Sequence, residues 1–409
     1  MQYKYVIIGG GIAGVSAAEA IREKEREKSI AVFTKDTHVL YSRPLLPFYI
    51  RGFVTRDQLY LRTLADFEKN RINLFMGKAI AAIDANKKKI FLENGDSFFY
   101  DKLLIAFGGE NSPPQFLPDY KKNFFTLKTI EDAENIMKRL GSIKEAVVSG
   151  SSFSALQFIE IFASRKIPVV VLSRASRFFG ASLDDFGAGF VTSNFRNRNI
   201  EAFYNDEISD VTGKDGVSEV ITINSRSIRT DAIAVEPGLN MNLDFYSSQG
   251  FSTGAGIKTD ECLQTNQEDV WAAGDVAEFK DVIFGKDRVE ENSLNAFLQG
   301  RCAAFNMTGK RTVFRAVSFN AITNFGLHIT KLGEAEPQEG VEVVSRFDTE
   351  SRRYERFFIK DNVLKGAFII NMFNDLPVIS NLIEKKVSLK QIKSYLSDVK
   401  FDFSQIEVG

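Results

Sequence analysis

The stretch YVIIGGGIAGVSAAEAI, residues 5–21, decides the fold of this chain. It reads as a buried strand that runs through three spaced glycines into a helix. Gly9 permits a tight bend, Gly11 lets the backbone approach a pyrophosphate, and Gly14 lets the helix pack closely on the strand. The stretch therefore predicts a dinucleotide-binding turn, with phosphates facing the helix N-terminus.

A second stretch, TNQEDVWAAGDVAEF at residues 265–279, ends an apolar strand at Gly274 and places Asp275 directly after it. Together the two stretches resemble the FAD domain of the pyridine nucleotide-disulfide oxidoreductase superfamily. The resemblance implies an FAD cofactor, with the Asp275 carboxylate hydrogen-bonded to a ribityl hydroxyl of the flavin. The alternative is an ordinary helix N-cap aspartate, a role that the same residue could fill at the same time.

Length and composition predict a soluble globular protein of two to three domains, since 409 residues with 44% hydrophobic content can form sizeable cores. The 52 basic and 53 acidic side chains nearly cancel, which argues against nucleic acid and favours small-molecule or protein partners. The first strand begins near Tyr3, leaving no room for a signal peptide, and no apolar run is long enough to span a membrane. We therefore expect a cytoplasmic location.

The plan of the first unit recurs in AVVSGSSFSALQFIEIFASRKIPVVVLSRASR, residues 146–177. Between the two copies lie a hairpin with an Asn94–Gly95 turn and a strand that ends near Gly109. Pro113–Pro114 is predicted to form the crossover between domains. The fold class is therefore α/β, with two Rossmann-like dinucleotide-binding domains, the FAD domain being discontinuous, and a C-terminal α+β domain.

The predicted boundaries are 1–111 and 255–314 for the FAD-binding domain, 112–254 for the NAD(P)-binding-like domain, and 315–409 for the C-terminal domain. In the last of these, alternating patterns at 316–333 and 352–370 predict strands. Two amphipathic stretches, SNLIEKK and SLKQIKSYL, predict short helices at 380–386 and 388–396.

Other residues of the FAD site follow from the same resemblance. The strand at VFTKD places Lys35 where an acid for the adenosine ribose is expected, with Asp36 beside it. Arg43, before Pro44, resembles the family's phosphate-binding arginine, although it could instead cap a helix that starts at Pro44. The predicted FAD-site residues are Gly9, Gly11, Ala13, Gly14, Lys35, Asp36, Arg43, Pro44, Ile80, Ala106, Gly108, Gly274 and Asp275.

The second dinucleotide turn departs from the usual pattern, because it reads Gly150-x-Ser152-x-x-Ala155. A hydroxymethyl group at Ser152 stands where a glycine admits the pyrophosphate. The next strand ends with Arg174, which suits the 2′-phosphate of NADP(H), instead of an acid for NAD. Near the expected nicotinamide position the family's glycine and asparagine are replaced by Ala234 and Gly238.

These departures leave two interpretations open. Either the second domain binds NADP(H) in a site of unusual shape, or the fold is retained after nicotinamide binding was lost. We favour the first interpretation, because relatives that reduce a cofactor dominate the superfamily. The predicted residues of this site are Gly150, Ser152, Ala155 and Arg174.

Cysteine usage argues against disulfide chemistry. Cys262 and Cys302 are the two cysteines, and neither lies in the segment after the second strand, where reductases of this superfamily carry a redox cysteine. Their spacing does not fit a zinc or iron–sulfur site. The chain also resembles the rubredoxin reductase, ferredoxin reductase and nitrite reductase flavoprotein branch, so electrons are expected to leave directly from the flavin. No acid–base residue is assigned.

The resemblance implies an FAD-dependent oxidoreductase that passes electrons between NAD(P)H and a rubredoxin- or ferredoxin-like acceptor. The alternative is an FAD electron-transfer subunit of a larger redox complex, whose partner subunit carries its own metal centre and whose nicotinamide site is degenerate. The oligomeric state does not follow from the sequence.

Overall fold

The computed structural model describes residues 1–112, 122–213, 216–236, 238–403 and 406. Pro113 and Pro114, the predicted crossover, lie outside the described residues. The strands, in chain order, are β1 Gln2–Ile8, β2 Ile30–Phe33, β3 Ile72–Phe75, β4 Ile80–Asp84, β5 Lys89–Leu92, β6 Ser97–Ile105, β7 Glu110–Ser112, β8 Phe124–Phe125, β9 Ala146–Ser149, β10 Val169–Ser173, β11 Ile200–Tyr204, β12 Ile208–Thr212, β13 Glu219–Thr222, β14 Ser227–Arg229, β15 Ala232–Val235, β16 Gly238–Asn240, β17 Ile257–Lys258, β18 Val270–Ala272, β19 Ala277–Asp281, β20 Lys286–Arg288, β21 Phe319–Asn324, β22 Leu327–Gly333, β23 Glu342–Asp348, β24 Arg353–Lys360 and β25 Val363–Ile370.

The helices, in chain order, are α1 Ile12–Lys24, α2 Leu46–Arg51, α3 Leu64–Lys69, α4 Ile130–Leu140, α5 Phe153–Ser164, α6 Asp185–Thr192, α7 Leu243–Ser248, α8 Ser293–Met307 and α9 Leu376–Glu384. No helix within the described ranges is long and apolar enough to cross a membrane.

The chain divides into two compact units, each assembled from three segments. The first unit contains Met1–Ser42, Tyr60–Glu110 and Leu239–Phe319. The second contains Arg43–Leu59, Asn111–Gly238 and Asn320–Gly409. The second unit thus combines the repeated strand–turn–helix unit with the C-terminal segment, and the boundaries of the three predicted domains stay a prediction.

The first unit is built on a seven-stranded sheet in the order β3-β2-β1-β6-β5-β4, with β18 also paired to β6. Strands β1, β2, β3, β6 and β18 pair in parallel, and β1 and β2 are buried over most of their length. The predicted hairpin is confirmed, because β5 and β6 pair antiparallel across a turn in which Gly95 has φ +88°. Parallel pairing brings the carboxyl ends of β1, β6 and β18 to one edge, where ligands of such sheets bind.

Helices α1 and α8 pack closely against each other in the first unit. A Cβ atom added at Gly300 of α8 would lie 2.1 Å from the carbonyl oxygen of Ala13 and 2.4 Å from the hydroxyl of Ser16. Any larger side chain at Gly300 would therefore push α8 away from α1. This packing fixes the position of α1, whose N-terminus follows the first glycine turn.

The second unit contains a five-stranded parallel sheet in the order β11-β10-β9-β15-β8. A three-stranded antiparallel sheet, β12-β13-β14, follows β11 in the chain. The C-terminal segment forms a further five-stranded sheet, β21-β22-β25-β24-β23, with α9 after it. The predicted fold class is confirmed, because both units contain parallel strands of the Rossmann type and the C-terminal segment forms an α+β region.

The C-terminal helices differ in part from the prediction. Helix α9 begins at Leu376, earlier than predicted, and ends at Glu384. The stretch 388–396 is not an α-helix: its one helical element is a 3₁₀ turn at Lys393–Tyr395. Here Ser388 bridges to Val363, and the Leu389 N–H donates to the Asn362 carbonyl at 2.7 Å. Pairing with the β24–β25 turn thus outweighs the weak helical periodicity of this stretch.

Candidate functional site: two dinucleotide turns

The first glycine turn, in the first unit, is set by close backbone packing. Gly9 has φ +120°, and a Cβ added there would lie 2.2 Å from the carbonyl oxygen of Ala106. A Cβ at Gly14 would lie 1.9 Å from the carbonyl oxygen of Gly9. Gly9 and Gly14 are therefore required by the fold itself, and Ala106, another predicted site residue, lies directly against the turn.

Gly11 differs from Gly9 and Gly14, because no other part of the chain packs against the position that a side chain would occupy there. A Cβ added at Gly11 would meet no heavy atom within 4 Å outside its chain neighbours. Gly11 is also the N-cap of α1, whose first turn consists of apolar residues, Ile12 to Val15. The first backbone N–H groups of a helix have no partner within the helix, and the helix dipole favours an anion at this end. This arrangement fits a pyrophosphate.

The carboxyl ends of β6 and β18 bring two more predicted residues together. Gly108 has φ +75°, and a Cβ added there would lie 3.7 Å from an oxygen of the Asp275 carboxylate. The element after Asp275 is strand β19, so the helix N-cap interpretation is wrong. A carboxylate beside a backbone without a side chain can reach a hydroxyl of a ligand that passes over Gly108.

Gln299 is a residue of this site that the sequence did not reveal. Its side chain is fully buried, and its carbonyl oxygen accepts the Gly274 N–H at 2.7 Å. A Cβ added at Gly274, which has φ +81°, would lie 3.1 Å from the Cβ of Ala13. Gln299 thus holds the backbone that precedes Asp275, and Ala13 sets how closely that backbone approaches α1. The signal was available in the run LNAFLQGR, where a polar residue interrupts the buried face of a helix.

At the end of β2, Lys35 and Asp36 both have partners within the chain. Lys35 forms an exposed ion pair with Glu110, a residue that the sequence analysis missed. The Asp36 carboxylate accepts the backbone N–H of His38 at 3.0 Å, as in an Asx turn. One oxygen of Asp36 is therefore engaged locally, and its predicted ribose contact stays a prediction.

The remaining predicted FAD residues are placed separately. Arg43 and Pro44 are exposed and begin a 3₁₀ turn, Arg43–Leu45, which belongs to the second unit. Ile80 is half-buried and begins β4 in the first unit. The roles proposed for these three residues stay predictions.

The second dinucleotide turn, in the second unit, has the same backbone path but different chemistry. Gly150 has φ +131°, and a Cβ added there would make an ordinary 3.6 Å contact with Ala155. Ser152 is the N-cap of α5, and its hydroxyl accepts the Ala155 N–H at 3.4 Å. The hydroxyl of Ser152 also donates to the carboxylate of Glu236, which follows β15. Glu236 is a further functional candidate that sequence reasoning missed.

Arg174, the predicted partner of a 2′-phosphate, follows β10 and pairs with Glu207. The Arg174 side chain is 81% exposed, so this ion pair is largely screened by solvent and contributes little to stability. A phosphate with more negative charge can therefore take the place of the Glu207 carboxylate. The geometry is compatible with the predicted role and does not test it.

Both cysteines are free thiols buried in the first unit. Burial raises the pKa of the Cys302 thiol to about 12 and raises that of Cys262 as well. The Cys302 thiol donates to the Thr312 carbonyl at 3.3 Å. Because the thiolate is the reactive form, neither side chain suits redox exchange near neutral pH. Within the described part of the chain, no cluster of His, Cys, Asp and Glu is placed to hold a metal ion.

Comparison with known proteins identifies the family. The sequence family described as pyridine nucleotide-disulphide oxidoreductase matches residues 3–300. The chain belongs to this family. A second family, described as the C-terminal domain of rubredoxin NAD+ reductase, matches residues 319–387. Reductases of the pyridine nucleotide-disulphide oxidoreductase family use FAD and NAD(P)H, so the predicted family, enzyme class and cofactors are confirmed.

Relatives from this family cover most of the chain. Subunit epsilon of NADH-dependent phenylglyoxylate dehydrogenase from Aromatoleum evansii is 27% identical over 96% of this chain and 94% of its own length. Rhodocoxin reductase from Rhodococcus erythropolis is 29% identical over 76% of this chain and 74% of its own. Putidaredoxin reductase, in its covalent complex with putidaredoxin, shares the fold with a TM-score of 0.90 at 23% identity, over 98% and 97% of the two chains.

Proposed function

We propose that this chain passes electrons from NAD(P)H, through FAD, directly to a redox protein of the rubredoxin or ferredoxin type. The proposal rests on the space for a phosphate beside Gly11, in a chain whose two cysteines are buried. The name of rhodocoxin reductase, and the match of residues 319–387 to a rubredoxin reductase domain, support this class of acceptor. A cytoplasmic location is part of the same proposal.

The residues of the first unit would hold FAD as follows. The N–H groups at the start of α1 would bind the pyrophosphate, with Gly11 leaving room for it. Asp275, beside Gly108, would accept a hydrogen bond from a ribityl hydroxyl. FAD would supply the redox chemistry, exchanging a hydride with nicotinamide and electrons with a metal centre. The protein's part is to bind and orient the cofactor and to keep its thiols out of the reaction.

A second candidate is favoured by one observation. The relative from Aromatoleum evansii, which spans almost the same length as this chain, is named as a subunit of a dehydrogenase. This chain would then exchange electrons with other subunits of a larger complex that carry their own metal centres. The name of this relative specifies NADH, whereas Arg174 favours NADPH, so the two nucleotides need to be compared directly.

The test is anaerobic reduction of the FAD-loaded chain by NADH and by NADPH, followed by mixing with an oxidised rubredoxin or [2Fe–2S] ferredoxin. We expect the flavin to bleach with a nucleotide and to recolour as the acceptor is reduced. The matched control is the double variant Cys262→Ser, Cys302→Ser, which should retain both half-reactions because its thiols take no part.

Two results would contradict the proposal. Bleaching by dithionite but by neither nucleotide would favour the subunit candidate, and co-purification with an iron–sulfur partner would then be expected. A large loss of acceptor reduction in the double cysteine variant, with FAD content unchanged, would show that electrons travel through a thiol.

A further inference from the structure

The second dinucleotide turn already holds an anion supplied by the chain itself. One carboxylate oxygen of Glu236 accepts a hydrogen bond from the hydroxyl of Ser154, at 2.9 Å, and the other accepts one from the hydroxyl of Ser152. These two serines are the N-cap residue and the second residue of α5. The carboxylate therefore lies at the helix end where the dinucleotide turn would present a phosphate.

The electrostatics of this helix end favour the carboxylate. The first turn of α5 consists of uncharged residues, Phe153 to Leu156, so Glu236 is the acid that complements its dipole. Hydrogen bonds to an ionised acceptor are stronger than those between neutral groups. The contact is nevertheless reversible, because Glu236 is exposed and its release leaves no buried charge.

We propose that Glu236 is an internal competitor of the nicotinamide nucleotide and sets its affinity for the second turn. The inference rests on the proposed function, in which this turn binds NAD(P)H. A nucleotide must displace the carboxylate from Ser152 and Ser154 and must overcome its repulsion of the pyrophosphate. Glu236 therefore determines the affinity of the second turn, which stays largely empty until the nucleotide is abundant.

The test is the dissociation constant of ADP-ribose for the FAD-loaded chain, measured by calorimetry. ADP-ribose carries the pyrophosphate but lacks nicotinamide, so its binding does not depend on flavin reduction. Glu236→Ala should bind it about tenfold more tightly than the wild type, which corresponds to about 1.4 kcal/mol. Glu236→Gln keeps the shape but removes the charge, and we expect a gain of about threefold.

Glu219→Gln is the matched control. The carboxylate of Glu219 also accepts a hydrogen bond from a serine hydroxyl, that of Ser227, but on the β12-β13-β14 sheet. This variant should bind ADP-ribose as the wild type does. FAD content and the thermal midpoint should be unchanged in all three variants, because both glutamates are at least partly exposed.

Equal or weaker binding of ADP-ribose by both Glu236 variants would overturn the inference, even if NADH reduced the flavin. Tighter binding in these variants, without reduction by either nucleotide, would support the inference and contradict the proposed function. Binding by the variants alone, with none detectable in the wild type, would also support it. A gain in Glu219→Gln equal to that in Glu236→Gln would show a general charge effect and would overturn the inference.

Discussion

The two dinucleotide turns share a backbone plan but differ at the helix end. In the first turn Gly11 has no side chain, and a Cβ added there would meet no heavy atom within 4 Å outside its chain neighbours. In the second turn Ser152 caps α5, and the Glu236 carboxylate bonds to its first turn. The comparison shows that a fold element can keep its strand–turn–helix geometry while one hydroxyl and one carboxylate change the groups that its helix end presents.

The largest expected effect separates the two turns by their packing. Gly9→Ala would place a Cβ 2.2 Å from a backbone carbonyl at φ +120°, whereas Gly150→Ala makes an ordinary contact and bears only the strain of φ +131°. We expect Gly9→Ala to lose FAD and more than about 3 kcal/mol of stability, and Gly150→Ala to lose about 1–3 kcal/mol and retain FAD. Thermal unfolding and flavin content measure both.

Equal losses of stability and of FAD in the two variants would contradict this difference between the turns, because the steric clash at Gly9 would then have no effect. Gly141→Ala is the control, since Gly141 ends α4 with φ −68° and open space around it. This substitution should change neither stability nor FAD content appreciably.

The next effect concerns the residue that follows β18. Asp275→Ala should weaken FAD binding by about ten- to a hundredfold, which corresponds to the loss of a charged hydrogen bond. Asp275→Asn keeps the shape and should lose less. Titration of the apoprotein with FAD, followed by fluorescence quenching, gives the two constants. Asp287→Ala, an exposed residue of β20, is the control, and an equal loss there would refute the role of Asp275.

The sequence was most informative where contacts are local. Spacing within a few residues predicted Gly9, Gly14 and Gly150, which is the repeat of Gly9, because a tight turn and close helix packing restrict the residue type locally. It missed Glu236, whose partner Ser152 lies 84 positions away, and Glu110, which pairs with Lys35 across 75 positions. Such pairs depend on which strand ends the fold brings together, and a single sequence contains no periodic signal for them.

A smaller effect tests the second turn alone. Arg174→Ala should remove any preference for NADPH over NADH, a preference that we expect to be about tenfold. Glu207→Gln releases Arg174 from its ion pair and should increase the preference. The dissociation constant of NADH in the same variants is the internal control, because it should stay constant. A preference for NADPH that survives in Arg174→Ala would assign the 2′-phosphate contact to another residue.

The smallest effect concerns the stability of the unit that carries the second turn. Burial and the nearby Glu355 carboxylate raise the pKa of Asp375 to about 6, against the opposing effect of Arg346. The pKa of Asp375 is higher in the folded state than in the unfolded state, so the protonated carboxyl group stabilises the fold. This contribution to the free energy of unfolding is lost as the pH rises from about 4 to about 6. After allowance for solvent screening this loss is about 1 kcal/mol.

Asp375→Asn should therefore flatten the pH dependence of thermal unfolding over this range. Its stability relative to the wild type should increase as the pH rises. Asp361→Asn, an exposed residue between β24 and β25, should leave the profile unchanged. If Asp375→Asn and the wild type had the same pH profile of thermal unfolding, the Asp375 carboxyl group would not be responsible for this pH dependence. The variant is also useful for comparing the two turns, because it separates the effect of pH on folding from its effect on nucleotide binding at the second turn.

The difference between the turns is tested most directly by the cofactors that the purified chain retains. Denaturing the protein and quantifying the released flavin and nicotinamide nucleotide gives the occupancy of both turns in one measurement. The account predicts about one FAD per chain, held at the open first turn, and almost no nicotinamide nucleotide at the second. A folded chain that retains a stoichiometric nicotinamide nucleotide but no FAD would contradict it.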